Sequence, residues 1–243
     1  MDAVVEGLRA QTDPERAVGS PERAVGSKAY LKSDLEFWGV GVPATRAVAK
    51  AALPVRARPG HDVVVAVAEE LWSEPVFERR LAASFVLEQH VAELGVGDLA
   101  LVERLLREAK TWALVDNLAP NVAGPIFEAS PAAAGAVLDR WNVDDDFWLR
   151  RASVLALLRP LRAGGGDWGR FCRYADELWE EKEFFVRKAL GWVLRDTSRK
   201  RPDMVFAWLL PRAATASGVT IREAVKYLSD EQGEAVAAAR ASR

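Results

Sequence analysis

Thr111-Trp112-Ala113-Leu114-Val115-Asp116-Asn117-Leu118 opens a helix, and its outline returns along the chain. Phe77, Trp112, Phe147, Phe184 and Val219 each stand at such an opening, spaced by 35, 35, 37 and 35 residues. Five positions after each comes a small residue: Ala82, Asn117, Ala152, Ala189 and Ala224. A small side chain at one fixed place in every repeat lets neighbouring helices approach closely. Between the openings, apolar residues recur at three- and four-residue spacing and predict further helices near 61–73, 97–110, 131–142, 167–180 and 203–211. Two helices per ~35 residues is the mark of a HEAT-like α-solenoid. The expected fold class is therefore all-α, with HEAT-like helical repeats curved around a basic concave groove.

Glycine and proline punctuate the pattern at Pro54 to Gly60, Gly95 to Gly97, Ser130-Pro131, Gly164 to Gly166 and Pro211 to Gly218. Gly39-Val40-Gly41-Val42-Pro43 reads as a turn that introduces a helix near Ala44. Short β-branched runs such as Val63-Val64-Val65 lie inside a helical pattern, and nothing reads as a strand series. One domain is expected over residues 1–243. It comprises an N-terminal helix with a duplicated heptapeptide in 1–29, the repeat array in 30–230, and a C-terminal helix or tail in 231–243. The duplication, Pro14-Glu15-Arg16-Ala17-Val18-Gly19-Ser20 followed by Pro21-Glu22-Arg23-Ala24-Val25-Gly26-Ser27, reads as a local insertion and receives no function.

A chain of 243 residues, 50% hydrophobic and 28% charged, can bury a large core in the manner of an ordinary globular protein. No run approaches the ~20 apolar residues that a membrane span needs. The start, Met1-Asp2-Ala3-Val4-Val5-Glu6, is acidic where a signal peptide is basic, so a cytoplasmic location is expected. Cys172 is the one cysteine, which excludes an intramolecular disulfide. With only His61 and His90 beside it, no zinc site of Cys/His type can be assembled; an acidic Mg²⁺ site stays open, although no paired carboxylates stand out on one helix face. Gly164-Gly165-Gly166 lacks the Lys-Ser/Thr of a phosphate loop. The net charge of −2 does not announce nucleic acid, although arginine outnumbers lysine 25 to 8. The distribution of charge has to decide.

That distribution is sorted by helix. The intervening helices carry Glu69, Glu70, Asp176, Glu177, Glu180 and Glu181. The column helices carry Arg150, Arg151, Arg159, Arg187, Lys188, Arg195, Arg222 and Lys226, which suits a phosphate backbone unless these arginines pair with acids of the next repeat. The position four after each opening reads Leu81, Asp116, Arg151, Lys188 and Glu223. Trp112 and Asp116 share one helix face a turn apart, a large π surface beside a single carboxylate. Trp192 falls on a face with Lys188 and Arg195, an aromatic flanked by cations. Both tryptophans also suit a core, with Asp116 capping or pairing with a neighbouring helix. The residues alone leave both readings open.

The segments Thr111-Trp112-Ala113-Leu114-Val115-Asp116, Phe147-Trp148-Leu149-Arg150-Arg151-Ala152, Glu183-Phe184-Phe185-Val186-Arg187-Lys188-Ala189-Leu190-Gly191-Trp192-Val193-Leu194-Arg195 and Ile221-Arg222-Glu223-Ala224-Val225-Lys226 resemble the signature blocks of AlkD-type DNA glycosylases. The resemblance runs from about Tyr30 to Tyr227, in order and at compatible spacing. It implies a monomeric, nucleoid-associated enzyme, free of metal and cofactor, that removes N3- and N7-alkylated purines such as 3-methyladenine and 7-methylguanine from double-stranded DNA in base excision repair. By the match, Asp116 corresponds to the catalytic carboxylate, and Trp112 and Trp192 to the aromatic pair flanking the lesion. Arg151 corresponds to the basic residue beside them and Tyr30 to a DNA-contacting tyrosine. Phe184, Phe185, Lys188 and Arg195 are carried over as DNA-binding residues on the same helix. The sequence departs from the pattern at the duplicated heptapeptide and at Thr111, where the family often has a second tryptophan. No lysine stands out as a Schiff-base nucleophile, so no strand nicking is expected. A non-catalytic DNA-structure binder, a HEAT-like protein-binding scaffold and a self-resistance glycosylase for a bulky alkylating natural product are the rival readings.

Overall fold

The computed structural model of the chain describes residues 2–18, 30–31 and 33–241. Regular structure among them is helical, apart from one parallel bridge between Glu36 and Val76. Helices open at Phe77, Trp112, Phe147 and Phe184 as the repeat predicts, and the fifth opens at Gly218, one residue ahead of Val219. The intervening helices are His61–Trp72, Leu99–Glu108, Pro131–Asn142, Trp168–Glu177 and Pro202–Leu209. The all-helical repeat fold is thus the one the spacing demands.

The period is written into the polar contacts as well. The Trp72 indole donates to Glu108 across 36 residues, Asn142 to Glu177 across 35 and Tyr174 to Asp139 across 35. Arg162 donates to Asp196 across 34, and Arg212 to Asp176 across 36. Each bond ties one repeat to the next at an equivalent place, which is how stacked helical pairs share one continuous core. The small-residue column is buried throughout: Ala82, Ala152, Ala189 and Ala224 are 0% exposed and Asn117 is 9% exposed.

Two compact units divide the chain, residues 1–122 and 123–243. In the first, Phe77–Gln89 packs against Val42–Ala52 on one side and His61–Trp72 on another, and Trp112–Leu118 packs on it in turn. In the second, Phe147–Leu155 packs on Pro131–Asn142 and on Phe184–Ser198, and Phe184–Ser198 packs on Gly218–Ala224. Gly191 makes that last approach possible. A Cβ there would stand 2.8 Å from Glu223 Cβ and 2.9 Å from the Thr220 carbonyl oxygen.

Three features lie beyond the periodic reading. Gly124–Ala129 and Leu158–Arg162 are short extra helices, too brief for a 3.6-residue pattern to register. Ala119–Ala123 is π-helical, and Pro120, having no N–H for the turn before it, is accommodated by that widened turn. Pro14–Val18, in the first duplicated heptapeptide, is helical. Residues 19–29, with the rest of the duplication, and the end of the tail at 242–243 lie outside the described residues. No helix among the described residues is long and apolar enough to cross a membrane.

Candidate functional site

In the first unit the site is built on the start of Trp112–Leu118. The preceding helix ends at Glu108, and two residues on Lys110, with a φ of +51°, turns the chain sharply in the left-handed region. Thr111 then caps the new helix by accepting the Ala113 N–H at 3.4 Å. Its hydroxyl also donates to the Leu31 carbonyl at 3.1 Å and is itself 1% exposed. One residue away, Tyr30 sets its ring edge-on to Trp112, with centroids 5.6 Å apart and planes at 82°. The position that departs from the resemblance is therefore a buried tether that holds the tyrosine segment to the tryptophan helix.

Tyr30, Trp112 and Asp116 line one open cavity of about 390 Å³. Its floor is apolar, formed by side chains such as Val40, Leu81 and Phe85. Asp116 lies on the half-buried face of the helix, and the next residue is locked: Asn117 donates to Ser84 at 3.1 Å and accepts from Asn121 at 3.0 Å. The far wall depends on Glu78, 1% exposed, whose carboxylate accepts the backbone N–H groups of Trp38, Gly39 and Val40 at 3.0, 2.8 and 3.2 Å. Burial raises the Glu78 carboxyl above its ordinary value, and these donors pull the other way without cancelling it. Gly39 is required in that turn: its φ is +78°, and a Cβ would fall 1.9 Å from the Asp13 carbonyl oxygen.

Two cations on this cavity carry no signal in the sequence. Arg46 lays its guanidinium 3.9 Å over the Phe85 ring centroid and pairs with Glu88 at 3.0 Å. Arg16 reaches the same cavity from the first heptapeptide copy. Neither belongs to the repeat column, so spacing does not find them.

In the second unit an aromatic cluster stands at the openings of Phe147–Leu155 and Phe184–Ser198. Phe185 stacks on Phe147, with centroids 6.5 Å apart and planes at 9°, and tilts against Trp148 at 5.1 Å. Phe184 is 52% exposed, with the Lys188 ammonium 6.0 Å from its ring centroid. Arg151, placed among the exposed cations by its column, is 2% exposed instead, and its guanidinium donates to the Phe185 carbonyl oxygen. It pins the aromatic helix start from beneath. Trp192 is half-buried, and its indole N–H donates to Asp196 at 3.0 Å.

Asp196 is the residue that sequence reasoning missed. It is 4% exposed and accepts from Trp192, from Arg162 at 2.7 Å and from Arg195 at 3.0 Å. Burial raises its pKa, but the Arg195 and Arg162 hydrogen bonds and charges outweigh burial and hold the carboxyl below its ordinary value. Arg195 also bonds Glu223, and Arg150 pairs with Glu181 at 2.8 Å, so part of the column's positive charge is neutralised between helices. The signal for Asp196 was its place one turn beyond Trp192 on the same helix face.

Residues 16–228 match the model of a family described as DNA alkylation repair enzyme. The chain belongs to that family. Among solved structures, a protein from Enterococcus faecalis described as a predicted DNA alkylation repair enzyme is similar over 90% of this chain and 98% of its own, at 20% identity and a TM-score of 0.77. AlkD2 from Streptococcus mutans is similar over 78% of this chain and 91% of its own, at 19% identity and a TM-score of 0.60. No curated protein matches the sequence. At these identities the structural likeness speaks for the fold, and it is the family match that assigns the chain to DNA alkylation repair, with DNA as its substrate.

Proposed function

We propose that this member of the DNA alkylation repair enzyme family is a monofunctional glycosylase. It hydrolyses the N-glycosidic bond of cationic N3- and N7-alkylated purines in duplex DNA, with Asp116 as the catalytic carboxylate. One observation carries the proposal: Asp116, Trp112 and Tyr30 converge on a single open cavity.

Glycoside cleavage ordinarily uses two carboxyl groups, one of which protonates the leaving group. An N3- or N7-alkylated purine already carries positive charge and leaves without a general acid, so one carboxylate suffices. Asp116 stabilises the oxocarbenium-like sugar as the bond breaks and orients water toward C1′. A unit charge pair at ~4 Å with an effective dielectric near 20 is worth about 4 kcal/mol, roughly three orders of magnitude in rate. The Trp112 face favours a cation over a neutral base, and Tyr30, edge-on to it, fixes the indole plane. In the second unit, Trp192 presents a ring held by Asp196, while Phe184, Phe185, Lys188 and Arg195 form a DNA-contacting set with Arg151 beneath it. With no lysine among these groups placed for a Schiff base, the product is an abasic site in an unbroken strand.

The test is release of 7-methylguanine and 3-methyladenine from methylated duplex DNA by the wild type and by Asp116→Asn. Release by the wild type with a fall of ~10²-fold or more in the variant, at unchanged DNA affinity, is the expected result. DNA binding by both proteins without release of either base would instead establish a non-catalytic DNA-structure binder.

A further inference from the structure

The second unit holds another cavity, of about 470 Å³, lined by Trp179, Glu180, Arg187, Ser217, Gly218 and Arg240 among others. Two guanidinium groups crowd one backbone position at its edge. A Cβ on Gly218 would stand 3.2 Å from Arg222 Nη1 and 3.3 Å from Arg240 Nη2. Arg187 enters from the Phe184–Ser198 helix, with its Nε donating to the Glu181 carbonyl oxygen. The three come from different helices, Phe184–Ser198, Gly218–Ala224 and Asp230–Ala241, so folding alone brings them together.

Several other arginines of this unit are matched with acids, among them Arg150 with Glu181, Arg162 with Asp196, Arg170 with Asp139 and Arg212 with Asp176. Among the described residues, Arg187, Arg222 and Arg240 have no carboxylate partner within 4.0 Å. Like charges gathered without a counter-ion repel one another, and an anion relieves that repulsion. Glu180, which is exposed, is the one carboxylate among the described residues that line the cavity.

We infer that Arg187, Arg222 and Arg240 form a phosphate-binding site that grips a backbone phosphodiester of duplex DNA. Guanidinium groups in fork geometry suit phosphate oxygens, and such a contact positions a protein on DNA without reading its sequence. The inference rests on DNA as the substrate, not on Asp116 or on glycosylase chemistry.

The experiment is binding of undamaged duplex DNA across a salt series by the full chain, as wild type, Arg222→Gln, Arg240→Gln, the double variant and Glu180→Gln. Each arginine variant is expected to lose about three- to tenfold in affinity and to lower the salt slope by about one unit, with the double variant lowering it by about two. Glu180→Gln is expected to bind more tightly. Since neither Arg222 nor Arg240 has a partner to lose, the variants are expected to melt no lower than the wild type. Unchanged affinity and slope in the double variant would overturn the site. Inorganic phosphate raising the melting temperature of the wild type but not of the double variant, while both bind DNA alike, would make it a site for free phosphate and overturn the DNA assignment. Because this DNA is undamaged, the result stands whether or not any base is released from methylated DNA.

Discussion

At the residue scale, two carboxylates, each four residues after a tryptophan, have different surroundings. Asp116 faces a cavity, whereas Asp196 is closed over by three donors and holds the Trp192 ring in place. The folded pKa of Asp196 lies below its unfolded value, so the stability it contributes is complete above the unfolded value of about 3.9 and is lost as pH falls through the folded one. Asp196→Asn is expected to cost about 1–2 kcal/mol at neutral pH, discounted because the Arg162 side chain is 47% exposed. Urea denaturation from pH 7 downward checks the sign: the gap between wild type and variant should narrow as pH falls below about 4. Asparagine offers one acceptor oxygen in place of two, so Trp192, Arg162 and Arg195 can no longer all be satisfied, and DNA binding should weaken at neutral pH even where the variant is fully folded.

At the element scale, close helix approach is tested by two glycines whose substitution should have opposite signs. Gly191→Ala forces a Cβ onto the Thr220 backbone and Glu223 Cβ, atoms that move only if the helices separate. The expected cost is about 1–3 kcal/mol, seen as a fall in melting temperature. Gly233 sits inside Asp230–Ala241, and its added Cβ would meet nothing within 4 Å. Gly233→Ala should therefore gain about 0.5–1 kcal/mol from helix propensity alone. If both substitutions shift the melting temperature in the same direction, the packing between Phe184–Ser198 and Gly218–Ala224 is not as tight as described.

At the scale of the whole molecule, leaving-group charge decides which lesions the proposed chemistry can reach. A single carboxylate expels a cationic purine but gives no proton to a neutral one. O6-Methylguanine, which is neutral, is thus expected to stay in the DNA under conditions that release 7-methylguanine, and product strands should remain unbroken until treated with alkali. Release of the neutral base by pure protein would require a second acid group.

The repeat, its helix boundaries and the buried small-residue column were legible in the sequence because apolar periodicity and glycine or proline breaks are local signals that the backbone obeys. The placing of Trp112 and Asp116 one turn apart followed from the same local geometry. What sequence could not decide was which charged residues stay exposed. Arg151 and Lys188 occupy equivalent column positions, yet one is buried beneath Phe185 and the other faces solvent beside Phe184. Nor could it show that Thr111 tethers the Tyr30 segment, that Asp196 gathers three donors, or that Arg187, Arg222 and Arg240 come together without pairing to a carboxylate. Secondary structure depends on neighbours a few residues away, and the sequence holds those in order. The burial and pairing of a charge depend on side chains as far as 28 to 42 residues distant, and only the packed tertiary structure brings those within reach.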